Sequence, residues 1–231
     1  MARLFAVIPA AGSGQRMGAD KPKQYLPLAG KTVLECTLTR LLSSLVIDTC
    51  VLCVAPDDNY YPEVLASVSY DVNVVEGGAS RAHSVANGLR ALETAANQDD
   101  WVLVHDAARP CVPAEDLQWL VQSLEHHAVG GLLARPAQDT LKHAQDGEII
   151  TTLNREQIWH AMTPQMFRYG LLQSALEQSL EQGAAITDES AAIEALGKQP
   201  KIIAGDASNI KITTPADLEL AGYFLSEEQR R

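Results

Sequence analysis

A glycine-rich stretch near the start of the chain carries side chains that could bind a polyphosphate. Residues 9–18 read PAAGSGQRMG, and Lys23 follows shortly after them. Gly12 and Gly14 have no Cβ and can take φ > 0, so consecutive backbone N–H groups can turn toward one point and approach phosphate oxygens closely. Arg16 and Lys23 can add positive charge at that point. The stretch therefore predicts a loop that binds a nucleoside triphosphate.

Two familiar glycine-rich loops do not fit this stretch. A Walker loop requires Gly-Lys after four intervening residues, and neither Gly14 nor Gly18 is followed by lysine. A dinucleotide fingerprint has a third glycine where Met17 stands, and Glu35 is only a loose candidate for its ribose-binding acid. An ordinary turn between a strand and a helix is the simpler alternative. The nearby cations favour anion binding, because the chain as a whole is short of positive charge.

An acid and an arginine follow a buried apolar run in the middle of the chain. Residues 101–105 predict a strand, Asp106 falls at its carboxyl end and Arg109 lies just beyond. A carboxylate beside triphosphate oxygens is repelled unless Mg²⁺ lies between them, so we expect Asp106 to be a ligand of Mg²⁺ or of its waters. The planar guanidinium of Arg109 suits a phosphate. A structural Asp-Arg pair is the alternative, and we expect His105 to pack or form hydrogen bonds only.

A third candidate segment closes the predicted strand at 72–76 and opens a helix that continues to about residue 96. Gly78 would allow the backbone to approach a flat base, and Ser84 could donate or accept a hydrogen bond at a base edge. An ordinary turn with Ser80 as the helix N-cap is an equally good explanation of the two glycines alone.

Short apolar runs alternate with helical patterns along most of the chain. This alternation predicts an α/β protein with a Rossmann-like, doubly wound, mostly parallel sheet of about seven strands, and ligands beyond the carboxyl ends of the strands. The predicted strands are 4–8, 49–55, 72–76, 101–105, 131–135, 201–204 and 209–212. Helices are predicted after a capping box formed by Thr32 and Glu35, at 62–68, 114–127 and 169–181, before Gly197, and after Thr214.

The alternation breaks at residues 139–153. Two short strand patterns there flank an Asp146-Gly147 turn and predict a β-hairpin inserted into the α/β chain. An isolated hairpin is marginally stable in water, and a second copy of the chain is the simplest partner for it. We expect residues 1–231 to form one domain, with 137–157 as an inserted dimerisation arm.

Composition limits the classes of partner. The chain has 231 residues, is 46% hydrophobic and carries a formal net charge of -11. This charge argues against nucleic acid or an anionic membrane as a partner, because both require a basic face. We expect a cytoplasmic protein, since no apolar run has the length of a membrane span or a signal-peptide core.

Cys50 and Cys53 have the spacing of a redox or metal pair. The run that contains them predicts a strand, in which residues three apart point to opposite faces. We therefore expect two separate buried thiols.

The glycine-rich loop and four later motifs, in this order, resemble the 2-C-methyl-D-erythritol 4-phosphate cytidylyltransferase family of nucleotidyltransferases. The later motifs are VLVHDAARP at 102–110, WHAMTPQ at 159–165, ITDE at 186–189 and NIKI at 209–212. Together they span almost the whole chain. The resemblance implies transfer of CMP from CTP to 2-C-methyl-D-erythritol 4-phosphate with release of pyrophosphate, in isoprenoid precursor biosynthesis, by a homodimeric enzyme that uses Mg²⁺ or another divalent cation.

The resemblance also implies roles for individual residues. It implies four catalytic side chains, namely Arg16, Lys23, Arg155 and Lys211. The CTP-binding residues would be Pro9, Ala10, Ala11, Gly12, Gly14, Gly78, Ser84, Asp106 and Ala107. The acceptor would contact Asp106, Arg109, Thr140, Arg155, Thr187 and Lys211, with Thr140 and Arg155 supplied by the neighbouring subunit. Ala79 and His83 stand where some members have acids, so no side-chain role is carried over to them.

Two other functions are compatible with the same motifs. The chain could be a cytidylyltransferase for another polyol phosphate, such as ribitol 5-phosphate. It could also be a catalytically silent nucleotide-binding regulator, although plain binding would not require Arg16, Lys23 and Asp106 together. Lys211, within an apolar predicted edge strand, could simply face solvent.

Overall fold

The computed structural model describes residues 2–12, 14, 17, 18 and 20–230. The strands are β1 (Leu4–Pro9), β2 (Pro27–Leu28), β3 (Lys31–Thr32), β4 (Thr49–Val54), β5 (Val72–Glu76), β6 (Trp101–Val104), β7 (Gly130–Pro136), β8 (Lys142–Gln145), β9 (Glu148–Thr152), β10 (Trp159–Arg168) and β11 (Lys201–Ala204). The helices are α1 (Val33–Ser44), α2 (Tyr61–Ser67), α3 (Arg81–Arg90), α4 (Ala114–Leu124), α5 (Tyr169–Glu181), α6 (Glu189–Ala195) and α7 (Pro215–Gln229). One-turn 3-10 helices cover Lys23–Tyr25 and Arg155–Gln157.

The central sheet has the strand order β11-β7-β10-β6-β1-β4-β5. β10 runs antiparallel to both of its neighbours, and the other neighbouring pairs are parallel. The predicted α/β class and mostly parallel, doubly wound sheet are therefore confirmed.

Alternating residues of the inner strands feed two separate cores, one on each face of the sheet. Ile8 of β1 packs with the apolar faces of α1, α2 and α4, whereas the adjacent Val7 packs with α3, α5 and α6. Cys50 and Cys53 of β4 divide in the same way, one in each core. The prediction of two separate buried thiols is confirmed, and both are free cysteines.

The sequence pattern misses β10, which carries Pro164 in its interior. Proline has no N–H to give to a neighbouring strand, so a proline within an apolar run argues against a strand. In the structure, the pairing of β10 with β7 shifts register between Ala161 and Gln165, and this irregularity accommodates the proline. Residues 162–167 are all buried, so packing within the sheet outweighs the local signal.

The prediction of a strand at 209–212 is wrong. The segment has no ladder of backbone bonds, and it meets the loop after β6 through the Ile212 N–H, which donates to Ala108 O at 2.9 Å. Its carbonyl groups instead accept from cationic side chains, at Asn209 from Arg109 and at Ile212 from Lys23. An Ile-Lys-Ile pattern alone does not distinguish such an extended segment from a strand.

The helices begin close to their predicted starts, and two of them end early. Thr32 caps α1 by accepting from the Glu35 N–H, and Thr214 forms a complete capping box with Asp217 at the start of α7. α3 ends at Arg90 rather than near residue 96, and α4 ends at Leu124 rather than at residue 127. Of the helices described, none is long and apolar enough to cross a membrane.

The predicted hairpin is confirmed as β8 and β9, which pair antiparallel. Asp146 and Gly147 both have positive φ, as a two-residue hairpin turn with right-handed strand twist requires. Every residue of both strands is exposed. Ile149 and Ile150 are 63% and 54% exposed, so the apolar side chains of this arm find little cover within their own chain.

Candidate active site

A cavity of about 470 Å³ opens beyond the carboxyl ends of β1 and β6, beside the start of α3. This is the edge at which a doubly wound sheet binds its ligands, and the volume suits a small molecule. The cavity brings together many of the residues predicted from the sequence, namely Pro9, Ala10, Ala11, Gly12, Gly14, Lys23, Gly78, Ser84, Asp106, Ala107 and Lys211. Gln24, Arg81 and Thr213 also line it.

Two left-handed glycines, Gly14 and Gly18, and a buried glutamine shape the glycine-rich loop. Gly14 has φ +64°, whereas Gly12 lies outside the left-handed region, so the prediction of positive φ is confirmed at Gly14 only. The Gln24 side-chain amide donates to Ala10 O at 2.6 Å and to Gly12 O at 3.3 Å. Gln24 thereby holds two carbonyl groups of the loop in place. Arg16, predicted to be catalytic, lies outside the described residues.

Lys23 lies at the start of the 3-10 helix Lys23–Tyr25 and lines the cavity. Its Nζ donates to the carbonyl oxygen of Ile212 at 2.7 Å. This bond joins two segments that are almost the whole chain apart. It also places the Lys23 ammonium beside the segment that carries Lys211.

Asp106 is at the centre of a cluster of cations. Its Oδ2 lies 2.8 Å from Lys211 Nζ and 3.5 Å from Arg109 Nε, and its Oδ1 accepts from Arg81 Nε at 2.9 Å. Burial alone would raise the pKa of this carboxyl, but the charges of Arg81, Lys211 and Arg109 outweigh burial and hold the pKa well below its usual range. These contacts therefore favour the ionised form of Asp106, and its backbone N–H donates to Thr163 Oγ1 at 3.0 Å.

Arg81 and Glu189 complete this cluster, and the sequence reasoning assigns neither a role. Arg81, the first residue of α3, donates from Nη1 and Nη2 to the two oxygens of Glu189 at 2.6 and 3.0 Å. Glu189, the first residue of α6, is 1% exposed. Burial raises the pKa of its carboxyl above the ordinary value, and the guanidinium opposes that rise. Glu189 stands in the motif at 186–189 and Arg81 in the candidate segment after the strand at 72–76, but no local pattern indicates that residues 108 positions apart form a pair.

Arg109 is not among the residues that line the cavity. Its Nη1 donates to Asn209 O at 2.7 Å, and its side chain is 11% exposed. The predicted contact between Arg109 and the acceptor therefore stays a prediction, and the observed contacts hold the segment 209–212 against Asp106.

His105 is fully buried and forms hydrogen bonds within the protein, as predicted. Its Nε2 lies 3.0 Å from the carbonyl oxygen of Arg109, and its Nδ1 lies 3.0 Å from Thr163 Oγ1. A carbonyl can only accept, so Nε2 carries the proton and Nδ1 accepts from the threonine hydroxyl. Burial lowers the pKa of His105 to about 4, which keeps this ring neutral.

The wall beside Gly77 and Gly78 has no room for side chains. An added Cβ would lie 2.5 Å from the Cβ of Ala11 at Gly77, and 2.4 Å from the Cβ of His83 at Gly78. The Ser84 hydroxyl accepts from the Gly78 N–H at 3.0 Å and donates to Ser80 O at 3.0 Å. Ser84 therefore fixes the backbone of this wall. Its hydroxyl can accept one further hydrogen bond from a ligand.

Thr140, Arg155 and Thr187 do not line this cavity and are exposed. Thr140 and Arg155 flank the hairpin, and Arg155 Nη1 donates to Gln138 O at 2.7 Å. Their predicted roles at the site stay predictions.

The residues around Asp106 fit a magnesium ion that is shared with a phosphate ligand. In the part of the chain that the structure describes, no group of three or more His, Cys, Asp and Glu side chains could hold a metal by itself. Mg²⁺ commonly takes one carboxylate, with substrate phosphates and waters as its other ligands. Asp106 can supply that carboxylate once Lys211 releases Oδ2.

Comparison with known proteins identifies the family. The family model for 2-C-methyl-D-erythritol 4-phosphate cytidylyltransferase (IspD) matches residues 4–227. A protein of that name from Vibrio vulnificus is 49% identical over 232 residues, which cover 100% of this chain and 98% of the relative. One from Pseudomonas aeruginosa is 53% identical over 217 residues, 93% of each chain.

Solved structures of the same family are similar to this chain over almost its whole length. A crystal structure of 4-diphosphocytidyl-2C-methyl-D-erythritol synthase has a TM-score of 0.84 and 41% identity, with 97% of this chain and 99% of that chain covered. The Francisella tularensis cytidylyltransferase has a TM-score of 0.81 and 35% identity, with coverage of 96% and 100%. Sequence, fold and the position of the cavity therefore agree that the chain belongs to the 2-C-methyl-D-erythritol 4-phosphate cytidylyltransferase (IspD) family.

Proposed function

We propose that the protein transfers CMP from CTP to 2-C-methyl-D-erythritol 4-phosphate, with release of pyrophosphate, in the isoprenoid pathway. The observation that carries this proposal is the cavity itself, in which a glycine-rich backbone loop, Lys23, Lys211 and the carboxylate of Asp106 face one space. The names of the relatives specify this acceptor, which favours it over another polyol phosphate.

The composition of the cavity fits a reaction between two polyanions. The attacking group is a phosphate oxygen that is already negative, so no general base has to activate it. The protein has to bring the two phosphates together and stabilise the charge that develops at the α-phosphorus. The ammonium groups of Lys23 and Lys211 would provide the positive charge that stabilises it, and Arg16 is proposed to contribute further positive charge. The attack at the α-phosphorus forms a P–O bond as the bond to the leaving pyrophosphate breaks.

Both lysines have internal partners that ligand phosphates would replace. Lys23 Nζ rests on Ile212 O, and Lys211 Nζ rests on Asp106. When the triphosphate and the acceptor phosphate enter, each ammonium exchanges a protein oxygen for a phosphate oxygen. Such an exchange leaves neither charge unpaired, because each ammonium has a partner both before and after binding.

The glycine wall is proposed to hold the cytosine ring. Gly77 and Gly78 present backbone without side chains, and Pro9, Ala10 and Ala11 line the cavity beside them. A flat base can lie against such a surface and be read by backbone N–H and C=O groups. Ala107 and Asp106, at the end of β6, are placed to contact the nucleotide as well.

Asp106 is proposed to hold Mg²⁺ together with the triphosphate. When bound, the ion would neutralise negative charge on the phosphates. The protein's part is to keep the Asp106 carboxylate ionised and aimed into the cavity, which Arg81 does through Oδ1. Lys211 would release Oδ2 to the ion when a ligand phosphate draws its ammonium away.

The arm at 137–157, attached to a single nucleotidyltransferase domain, is proposed to pack against a second copy of the chain. The exposed Ile149 and Ile150 support this proposal, because an uncovered pair of strands has little stability alone. In this arrangement Thr140 and Arg155 of each subunit complete the acceptor site of the other, while Arg109, Thr187 and Lys211 act within their own subunit. The cytoplasmic location stays a prediction.

A pyrophosphate-release assay tests the proposed reaction. The protein is incubated with Mg²⁺, CTP and one of several polyol phosphates, with UTP and ATP as nucleotide controls. We expect release with CTP and 2-C-methyl-D-erythritol 4-phosphate, and a rate at least about 100-fold lower with ribitol 5-phosphate or UTP. Faster release with ribitol 5-phosphate would identify that compound as the acceptor instead. The absence of release with every pair would favour a silent nucleotide-binding protein.

A further inference from the structure

Glu189 is a buried acid that the proposed chemistry does not use. It begins α6, it is 1% exposed, and both of its oxygens accept from Arg81. A buried carboxylate is expensive unless its charge is paired and hydrogen-bonded. Replacement of such a pair by apolar residues is often neutral or stabilising, so the pair alone is weak evidence for a role in stability.

Arg81 has a second partner, which connects Glu189 to the active site. Its Nε donates to Asp106 Oδ1 at 2.9 Å, so a single guanidinium spans two carboxylates. Arginine suits this position because its planar fork holds several hydrogen bonds in a fixed relative orientation, whereas a lysine ammonium acts as a point charge. The orientation of Asp106 is thereby set from α6, through the first residue of α3.

The charges of the cluster explain why Arg81 requires an acid behind it. Asp106 also contacts Lys211 and Arg109, at 2.8 and 3.5 Å. Three cations around one carboxylate would cancel its negative charge for any further cation. Because Glu189 neutralises Arg81, Arg81 can hold Asp106 Oδ1 in place while Asp106 retains charge toward a metal ion once Lys211 has moved to a phosphate.

We propose that Glu189 is a positioning residue that acts through Arg81, keeping the Asp106 carboxylate both oriented and negative enough to bind a divalent cation together with the CTP triphosphate. The inference rests on the proposed metal role of Asp106. It assigns Glu189 no contact with substrate. Of the three cations around Asp106, it treats Arg81 as a fixed partner and Lys211 as an exchangeable one.

The experiment compares CTP binding with and without Mg²⁺, measured by calorimetry on the full chain in the absence of acceptor. The variant Glu189→Gln keeps the shape of the side chain and removes its charge. We expect its metal-free Kd for CTP to stay within about threefold of the parent value, because the loop and Lys23 are untouched. The factor by which Mg²⁺ tightens CTP binding should fall about tenfold, as for other residues that orient a metal ligand.

Three further variants show where the effect acts. Glu181→Gln removes the same charge from an exposed position at the end of α5 and should leave both Kd values unchanged. Asp106→Asn should itself lower the Mg²⁺ factor, because an amide is a poorer ligand for a hard cation. In the Asp106→Asn background, addition of Glu189→Gln should change that factor less than about twofold, since the residue through which Glu189 acts has been lost.

The outcomes separate this inference from the proposed role of Asp106. If Asp106→Asn lowers the Mg²⁺ factor and Glu189→Gln does not, or if the two effects simply multiply, the inference is overturned and the role of Asp106 stands. Equal weakening of CTP binding with and without Mg²⁺ in Glu189→Gln would also overturn it. If Asp106→Asn leaves the Mg²⁺ factor unchanged, both the inference about Glu189 and the proposed metal role of Asp106 are contradicted. Should Glu189→Gln not fold, Arg81→Lys carries the same test, because it keeps the charge and loses the fork.

Discussion

Lys23 Nζ donates a 2.7 Å hydrogen bond to the backbone carbonyl of Ile212, next to Lys211. The two lysines proposed to act on phosphate are therefore linked through one short backbone segment. Lys211 lies in the segment 209–212. If a phosphate draws Lys23 away from Ile212, one of the hydrogen bonds that fix this segment is lost. We therefore expect binding of the triphosphate at Lys23 to be coupled to movement of Lys211.

Lys23→Ala should reduce kcat by about 100-fold or more, because the lost cation acts on charge that develops in the transition state. CTP should still bind through the loop amides, so the fall in kcat should exceed any rise in KM for CTP. Steady-state kinetics at saturating acceptor measure both constants. Lys31→Ala, which removes a lysine paired with Glu35, is the matched control and should change neither. A change confined to KM for CTP would contradict the catalytic role of Lys23.

Gly12→Ala should interfere with CTP without disturbing the fold. Gly12 lines the cavity, its φ lies outside the left-handed region, and an added Cβ would meet none of the non-adjacent residues that the structure describes within 4 Å. We expect KM for CTP to rise about tenfold and Tm to stay within about 2 °C of the parent value.

Gly14→Ala provides the contrast for that measurement. Gly14 has φ +64° and an added Cβ would lie 3.0 Å from the Lys23 side chain, so this variant should lose both affinity and stability. An unchanged KM in Gly12→Ala would mean that the nucleotide does not approach the loop backbone at this residue.

Several features could be predicted from short stretches of sequence, because interactions between residues close in the chain determine them. Alternation along β4 predicts opposite faces for Cys50 and Cys53, and the two residues do enter different cores. The Asp146-Gly147 pair predicts the hairpin turn, since both positions need positive φ. The residues at the ends of β1 and β6 line one cavity because parallel strands end at the same edge of a sheet.

Other features depend on contacts that no local pattern reports. β10 forms around Pro164 because burial in the centre of the sheet compensates for a missing donor. The segment 209–212 resembles a strand, yet its carbonyls are taken by Arg109 and Lys23. The pair Arg81–Glu189 joins positions 108 apart. Such long-range polar contacts determine the electrostatics of the site, and they become visible only when the fold is known.

His105 should make folding stability depend on pH below about 6.5. Its pKa is lowered by burial to about 4, whereas a histidine in the unfolded chain has a pKa near 6.5. Between these values the unfolded state binds more protons, so this residue favours unfolding increasingly as the pH falls from about 6.5 to 4. At pH 5 its contribution should be a loss of about 2 kcal/mol relative to pH 7.5.

Urea unfolding of the parent and of His105→Gln at both pH values measures this contribution. Glutamine can donate to Arg109 O and accept from Thr163, and it does not titrate. The free energy of unfolding of the variant should therefore fall by about 2 kcal/mol less than that of the parent between pH 7.5 and pH 5. Equal losses in the two proteins would show that protonation of His105 does not contribute to acid unfolding.

The exposed arm leads to a prediction about subunit mixing. If two subunits exchange arms, Arg155 acts in the partner's site and Lys23 in its own, and both sites of a twofold dimer are built in the same way. Arg155→Ala and Lys23→Ala should each be nearly inactive alone. When equal amounts re-associate at random, about half of the dimers are mixed, and each mixed dimer has one site with both defects and one with neither.

Pyrophosphate release by the mixture should therefore recover to about a quarter of the parent rate, given independent sites. Exchange itself is verified by mass-tagging one subunit and isolating the mixed dimer. An arm that folds onto its own subunit would leave every site in the mixture with one defect, because each chain would carry its own lesion into its own site. The absence of recovery after verified exchange would thus show that Arg155 acts within its own chain or has no role in the reaction. Recovery near a quarter requires that Lys23 and Arg155 of one site come from different subunits. Because Lys23 lines the cavity of its own chain, Arg155 would be the residue that crosses the interface.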